Sequence, residues 1–447
     1  MTQLLRIIVA ALFLLLASPS FADDFVPMFN GKDLEGWVNV NTAPSTWRFD
    51  GPEFNRILIC DGKPTGVLRT EKRYRNFVLE LDYMHLVPKG NAGIFIWSDP
   101  LTAQGQPFTR SIEVQVLDGL NTASYTSHGD IFPIHGAVMT PDRPHPNGGM
   151  RCLPSERRAN PAGEWNHYRI TAIDGTIKLE VNGVEVSGGS NCSPREGYIC
   201  LESEGGTVWW KNVRIKELPD DGTDLPADQR AAMPEGFRSM YNGVDFTGWK
   251  ITPDLAKHWK CLDWRLDFDG VHGDLWSEES FGDFELIVDW RWNGPSQGRM
   301  QRPLIEPDGS YTVDENGRQM TVEIEERDSG IYLRGNSKSQ VNIWEWPAGS
   351  GEVYGYRTDG SMPAETRAGA TPKKNADRPV GEWNRFRIRM VGETLNVHLN
   401  GEHVLVDCPL PGVPETGPIG LQAHGSGIQF ANLYVRRFNP DGTPVAD

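Results

Sequence analysis

Between Asp328 and Trp346 the chain reads DSGIYLRGNSKSQVNIWEW, a strand-like alternation crowded with side chains able to bind or transfer protons. Gln340 and Asn342 stand two apart, so on a strand they share one face while Val341 and Ile343 take the other. Amides in that register offer paired donors and acceptors to a hydroxylated ligand. Arg334 precedes them, and Gln422 and His424 follow later. An imidazole such as His424 suits a general base near neutral pH, and an arginine such as Arg334 suits a developing oxyanion. The plain structural alternatives are a salt bridge from Arg334 to Glu323 or Glu325, and a turn-capping role for His424 ahead of Gly425.

An earlier stretch has the same layout, with NAGIFIW at 91–97 followed by SIEVQVLD at 111–118. Glu113 and Gln115 share a face there, opposite Ile112, Val114 and Val116. Glu113 is the best base of this copy, and Asp118, Asp130 and His135 are helpers; the alternative is a solvated outer sheet face. Trp97, Trp209, Trp344 and Trp346 are flat apolar surfaces for stacking or for the core. Trp37, Trp165, Trp249 and Trp383 recur in both copies and read as packing.

The elements that must position these groups are duplicated. FNGKDLEGW at 29–37 recurs as YNGVDFTGW at 241–249, and FVLELD at 77–82 as FELIVD at 284–289. GEWN occurs at 163–166 and 381–384, Asn182-Gly183 is matched by Asn400-Gly401, and GYICLE at 197–202 by GPIGLQ at 417–422. A period of this length means two full domains rather than a solenoid. Short alternating runs between Gly, Asn and Asp turns predict an all-β chain, and the Asn-Gly pairs predict type I′ hairpins. The expected architecture is two tandem β-sandwiches of jelly-roll type over 23–219 and 236–447, joined by a Pro- and Asp-rich linker at 220–235. Insertions at 121–159 and 294–319 read as functional or disordered loops, and an irregular stretch at 347–376 as a surface excursion or a lid over a site.

Composition narrows the partners. A formal net charge of −16 opposes phosphate backbones and anionic membranes, so no nucleic acid is expected. Residues 1–22 have a basic residue, an apolar run and Ser20-Phe21-Ala22, the layout of an export leader cleaved before Asp23. No later apolar run reaches the roughly 20 residues that span a bilayer, so no membrane insertion is expected. The expected location is periplasmic or secreted. Six cysteines in an exported chain predict at least one disulfide, with pairing inside each half. No CxxC spacing marks a zinc site, and no phosphate loop or EF-hand is present.

With these residues in view, the chain resembles a tandem of the 3-keto-disaccharide hydrolase family, whose pattern runs FNGKDLxGW, NSGIxxR, ExQxxD, GEWN, LNG and GxIxLQxHG. The resemblance implies a concanavalin-like β-sandwich, a carbohydrate partner in the form of an oxidised glycoside or disaccharide, and room for a divalent metal. The first copy keeps Glu113, Gln115 and Asp118 but has Trp97 in place of the arginine, and Glu202 and Glu204 in place of the glutamine and histidine. The second keeps Arg334, Gln422 and His424. The resemblance therefore implies that the second copy carries the principal activity: His424 as base, Arg334 as enolate partner, and Gln340, Asn342, Gln422 and Trp344 holding the sugar. A non-catalytic, lectin-like carbohydrate-binding protein is the alternative, and a surface scaffold module a third reading.

Overall fold

The computed structural model describes residues 24–118, 128–146, 148–232, 236–439 and 442–445; the leader expected at 1–22 lies outside them. Alternation in the sequence becomes antiparallel sheet. In Asn166–Ile173, Tyr168, Ile170 and Ala172 are buried while the residues between them face outward. That is the burial pattern of a strand with one face on a core.

Among the described residues each copy forms a two-sheet sandwich. The first has a back sheet in the order Val138–Pro141, Val184–Ser193, Thr176–Val181, Asn166–Ile173, Phe77–His85, Val208–Glu217, Ile57–Cys60, Trp47–Asp50. Its front sheet runs Trp37–Val40, Gly66–Thr70, Tyr198–Ser203, Gly93–Ser98, Ser111–Gln115, Ile131–Ile134. The second sandwich repeats the design. Ile428–Arg437, Phe284–Trp292 and Asn384–Val391 are central to its back sheet, and Leu275–Phe281, Gly417–Leu421, Asp328–Leu333 and Asn336–Trp344 follow one another in its front sheet. Each pair of sheets closes on its own apolar core, one holding Ile94, Val114, Leu201 and Trp210 and the other Ile331, Val341, Leu421 and Phe430.

Register makes the copies comparable residue by residue. Phe95 pairs with Glu113 and Gly93 with Gln115, as Tyr332 pairs with Gln340 and Gly330 with Asn342. Leu201 lies beside Ile94 as Leu421 lies beside Ile331. Glu113, Gln115, Glu202 and Glu204 thus stand where the second copy has Gln340, Asn342, Gln422 and His424, and Asn91 stands where it has Asp328. The Asn-Gly hairpins form as expected, with φ of 49° and 83° at Asn182-Gly183 and 53° and 88° at Asn400-Gly401.

Several expectations are corrected. All six cysteines are free. Cys261 and Cys408 lie on the two opposite edge strands of one back sheet, several strand spacings of about 4.8 Å apart, far beyond disulfide reach. The segment expected as the linker is held to the first sandwich, where Arg75 binds Asp221 and the Thr223 carbonyl, and its Leu225 and Ala231 are buried. The first insertion supplies Ile131–Ile134 to the front sheet and Val138–Pro141 to the back sheet. The second contributes Arg299–Pro303 to a hairpin with Thr321–Glu325, and the 347–376 stretch contains two short helices, Tyr354–Arg357 and Ala364–Gly369. Trp37 and Trp249 are core residues, but Trp165 and Trp383 are only half-buried and lie outside it.

The sandwiches touch front to back. Loops of the first copy lie on the outer face of the second copy's back sheet, where Gly105 donates its N–H to Asp289 at 2.7 Å and Arg385 donates to the Thr102 carbonyl at 3.0 Å. Tyr434 donates to Asn41 and packs with Val40, Val67, Phe95 and Cys200, covering part of the first copy's front face.

Candidate active site in the second sandwich

The front sheet of the second copy keeps an open cleft of about 360 Å³ lined by Arg302, Asp328, Gln340, Asn342, Trp344, Trp346, Tyr354, Gln422 and His424. Alternation explains its floor: Val341, Ile343 and Leu421 point into the core, leaving the polar residues between them on the outer face. Gly330 sits beneath them because a Cβ there would come within 2.1 Å of the Gln340 amide nitrogen. That amide donates to Gln422 Oε1 at 2.5 Å, fixing the two glutamines side by side.

His424 is the exposed ionisable group of the cleft. Its side chain is 54% exposed, and its Nδ1 lies 3.2 Å from Asp328 Oδ2. Gln297 holds the histidine's loop, donating to the His424 carbonyl at 2.7 Å and to Ser426. Burial pushes the Asp328 carboxyl up to about 6, against the pull of His424, and its Oδ1 has no hydrogen-bond partner. Asp274 is a second carboxyl within electrostatic reach of His424; burial raises it, while the Ala423 N–H bonded to it at 2.9 Å pulls it down. Beside this group Tyr332 stacks on Trp276 at 5.0 Å, its hydroxyl pushed up to about 12 by burial and by Asp274. Nδ1 is thus the ring nitrogen on the Asp328 side, and Nε2 is the other.

Arg334 is not in this group. It occupies the turn after Asp328–Leu333, at the opposite end of that strand from Asp328, with φ of 52°. Its buried guanidinium donates to the carbonyls of Gly282, Gly392 and Pro414 and to Asp283 at 2.9 Å. The salt bridge offered as its structural alternative does not form either, because Glu323 and Glu325 pair with Arg299. Trp97, the matching residue of the first copy, has φ of 53° and ties the same point by donating to the Arg75 carbonyl. The position is a strand-end clamp in both copies. The arginine that does line the cleft is Arg302, held by Glu326 and lying 4.8 Å over the Trp346 ring.

The remaining walls are aromatic. Trp344 and Trp346 stack at 4.2 Å with rings 5° from parallel, and Tyr354 meets both edge-on. Asn342 is partly committed, since its side-chain amide donates to the Glu352 carbonyl at 3.0 Å. Trp97 is fully buried and Trp209 lies on the first copy's back sheet, so neither faces this cleft. Asp328, Asp274, Arg302 and Tyr354 were not assigned from sequence. Asp328 had a usable signal, its spacing of two before Gly330 repeating Asn91 before Gly93; Arg302 and Tyr354 belong to insertions without a counterpart, and Asp274 precedes its strand without any periodic mark.

In the first copy the corresponding residues form a closed acidic cluster. Glu113 and Glu202 converge over Gly93, whose added Cβ would stand 3.0 Å and 2.9 Å from their oxygens. Burial pushes Glu113 up to about 8, reinforced by Glu204 and opposed by Arg151, and Glu202 is raised well above the carboxylate range for the same first reason. Asn91 donates to Glu204. Gln115 turns its Oε1 to the Val116 N–H, and Asp130 pairs with Arg151. Asp118 faces His128 at 3.6 Å in a separate buried group with Tyr83, and His135 sits in the turn beyond Ile131–Ile134. Among the described residues no three His, Cys, Asp or Glu side chains are grouped so as to hold a metal ion.

A 3-keto-disaccharide hydrolase of Bacteroides thetaiotaomicron is 25% identical over 252 residues, 45% of this chain and 80% of its own. Among solved structures, a protein of Parabacteroides distasonis provisionally assigned as a glycosyl hydrolase is 20% identical, with a TM-score of 0.33 over 44% of this chain and 94% of its own. The carbohydrate-binding module CBM66 of Bacillus subtilis is 13% identical, with a TM-score of 0.27 over 41% of this chain and 96% of its own. The model of the 3-keto-alpha-glucoside-1,2-lyase-like domain matches twice, over residues 24–216 and 236–436. With both sandwiches matched, the chain belongs to the family of 3-keto-alpha-glucoside-1,2-lyase-like domains, among glycoside hydrolase-like proteins.

Proposed function

We propose that the chain is an exported enzyme that cleaves 3-keto-glycosides in the cleft of its second sandwich, by elimination across C1–C2 followed by hydration. The observation that carries this reading is the His424–Asp328 pair at the edge of a cleft floored by paired amides and walled by stacked indoles. A ketone at C3 acidifies the hydrogen on C2. His424 Nε2 takes that proton while Asp328 steadies the imidazolium that forms. The electron pair moves into an enolate whose oxygen is met by the Arg302 guanidinium or the Gln340 and Gln422 amides. The C1–O bond then breaks, and the departing oxygen takes a proton from water in the open cleft. Water adds across the resulting C1=C2 bond, so the net change is hydrolysis. Trp344 and Trp346 supply an apolar platform for the pyranose ring.

The test is a comparison of a chromogenic 3-keto-glucoside with its unoxidised parent, for the mature protein and for His424→Ala. Cleavage of the keto sugar alone, reduced about 100-fold or more in the variant, is the expected result. Equal cleavage of the parent would point to direct hydrolysis, and binding without cleavage to the lectin-like alternative. Export is checked by the mass of the chain recovered outside the cytoplasm, which should begin near Asp23.

A further inference from the structure

A cavity of about 520 Å³ lies away from the proposed active site, at the back sheet of the first sandwich. Phe29, Phe49 and Leu58 form its apolar side, and Asp82, His167 and Asn212 its polar side. Asn212 lies at a bulge of Val208–Glu217 with φ of 51° and donates to Asp82 Oδ2 at 2.6 Å. His167 Nδ1 lies 2.8 Å from Asp82 Oδ1.

The second sandwich has the same three-residue device, but there it is filled. Asn432, at a bulge with φ of 51°, donates to Asp289 Oδ2 at 2.6 Å, and Arg385 Nε donates to Asp289 Oδ1 at 2.6 Å. Onto this device the first copy lowers its 99–110 loop. Gly105 gives its N–H to Asp289, Asn432 donates to the carbonyls of Ala103 and Gln106, and Arg385 to that of Thr102. Gly105 has φ of 67°, and a Cβ there would come within 2.4 Å of the Trp383 ring. Pro64 fills the adjoining space over Gly243, the counterpart of Gly31 in the open cavity. Plugging changes the environment: Asn432 is 1% exposed and Asp289 0%, whereas Asn212 is exposed.

We propose that the cavity of the first sandwich is a docking socket for a glycine-centred turn of a partner polypeptide, which offers one backbone N–H to Asp82 and its carbonyls to Asn212 and His167. The occupant is not a second copy of this chain. The loop that makes this contact in the second sandwich, 99–110, is already engaged with Asp289, and the second sandwich has only the short turn Arg334-Gly335 in its place. Arg56 and Lys211 line the socket, Lys211 lying 4.0 Å over the Trp165 ring, so acidic side chains beside the glycine suit the rim.

The probe is a labelled cyclic peptide carrying the sequence of residues 101–108, titrated into the full chain. Saturable binding is expected, weakened at least tenfold by Asn212→Gly, which removes the amide yet tolerates the positive φ. Because Asn212 is exposed, an unchanged melting temperature should show that this variant is folded. The peptide with valine for its glycine should bind at least tenfold more weakly, and His424→Ala in the protein should leave binding unchanged. Absence of saturable binding, or equal binding by Asn212→Gly, would overturn the proposal. So would an oligosaccharide that saturates a site sensitive to Asn212→Gly where the peptide does not.

Discussion

His424 and Asp328 divide one task between an exposed ring and a buried carboxyl, and the division sets a pH dependence. With Asp328 at about 6, raised from its ordinary 3.8 chiefly by burial, acidification through pH 6 neutralises the group that holds the ring. kcat/KM for the keto sugar should therefore fall as pH drops through about 6, and Asp328→Asn should remove that step while lowering the rate. A flat wild-type profile between pH 5 and 7 would count against the pair, on the scale of a one-unit window on either side of the shifted value. Arg334 belongs to stability instead. Arg334→Ala strips three carbonyls and Asp283 of a buried partner and should cost about 3–5 kcal/mol in denaturant titration, with KM for the folded fraction unchanged. Sequence alternation put Gln340 and Asn342 on one face because strand period is two, while Gln422 and His424 were named from the family pattern. It could not place Arg334, since a residue in the left-handed turn just past a strand no longer follows that period.

At the scale of elements, the strands, the Asn-Gly hairpins and the duplication were legible because each has a local signature. The insertions were not: a stretch without alternation gave no sign that it would lend strands to both sheets, or supply Arg302 and Tyr354 to the cleft. The front sheet of the first copy illustrates a further limit, because sequence shows carboxylates on one face but not that they converge. Their convergence has a measurable sign. Glu113 holds its proton in the folded state to about 8, above its ordinary 4.5, so between these values the unfolded chain releases a proton that the folded chain keeps. Stability must fall as pH rises through that window. Glu113→Gln should shallow the slope and raise the melting temperature by an amount that grows from pH 5 to pH 8; a variant equal to wild type at pH 8 would exclude the buried acid. It should matter less to cleavage than His424→Ala.

The molecule as a whole is held by its own loops rather than by its linker. A protease site placed at exposed Gly222 should give a cut chain that still elutes as one species, because Asp289, Arg385, Asn432 and Tyr434 remain engaged. Asp289→Ala in the cut chain should let the halves part; halves that separate without it would show the contact to be weak. Sequence revealed two domains but not their embrace, since Asp289, Arg385 and Asn432 recur as Asp82, His167 and Asn212 in a copy where they meet no loop. The joint also has a direction. The first sandwich offers a knob at its front and both carry the receptacle at the back, so the copies are related head to tail, as successive cars of a train, and not by a twofold axis. Such a train has two unlike ends. The rear coupling is left open on the first sandwich, and at the leading end the knob has been shortened to Arg334-Gly335. With the knob reduced to a two-residue turn, the leading face keeps its open cleft, which is where His424 stands.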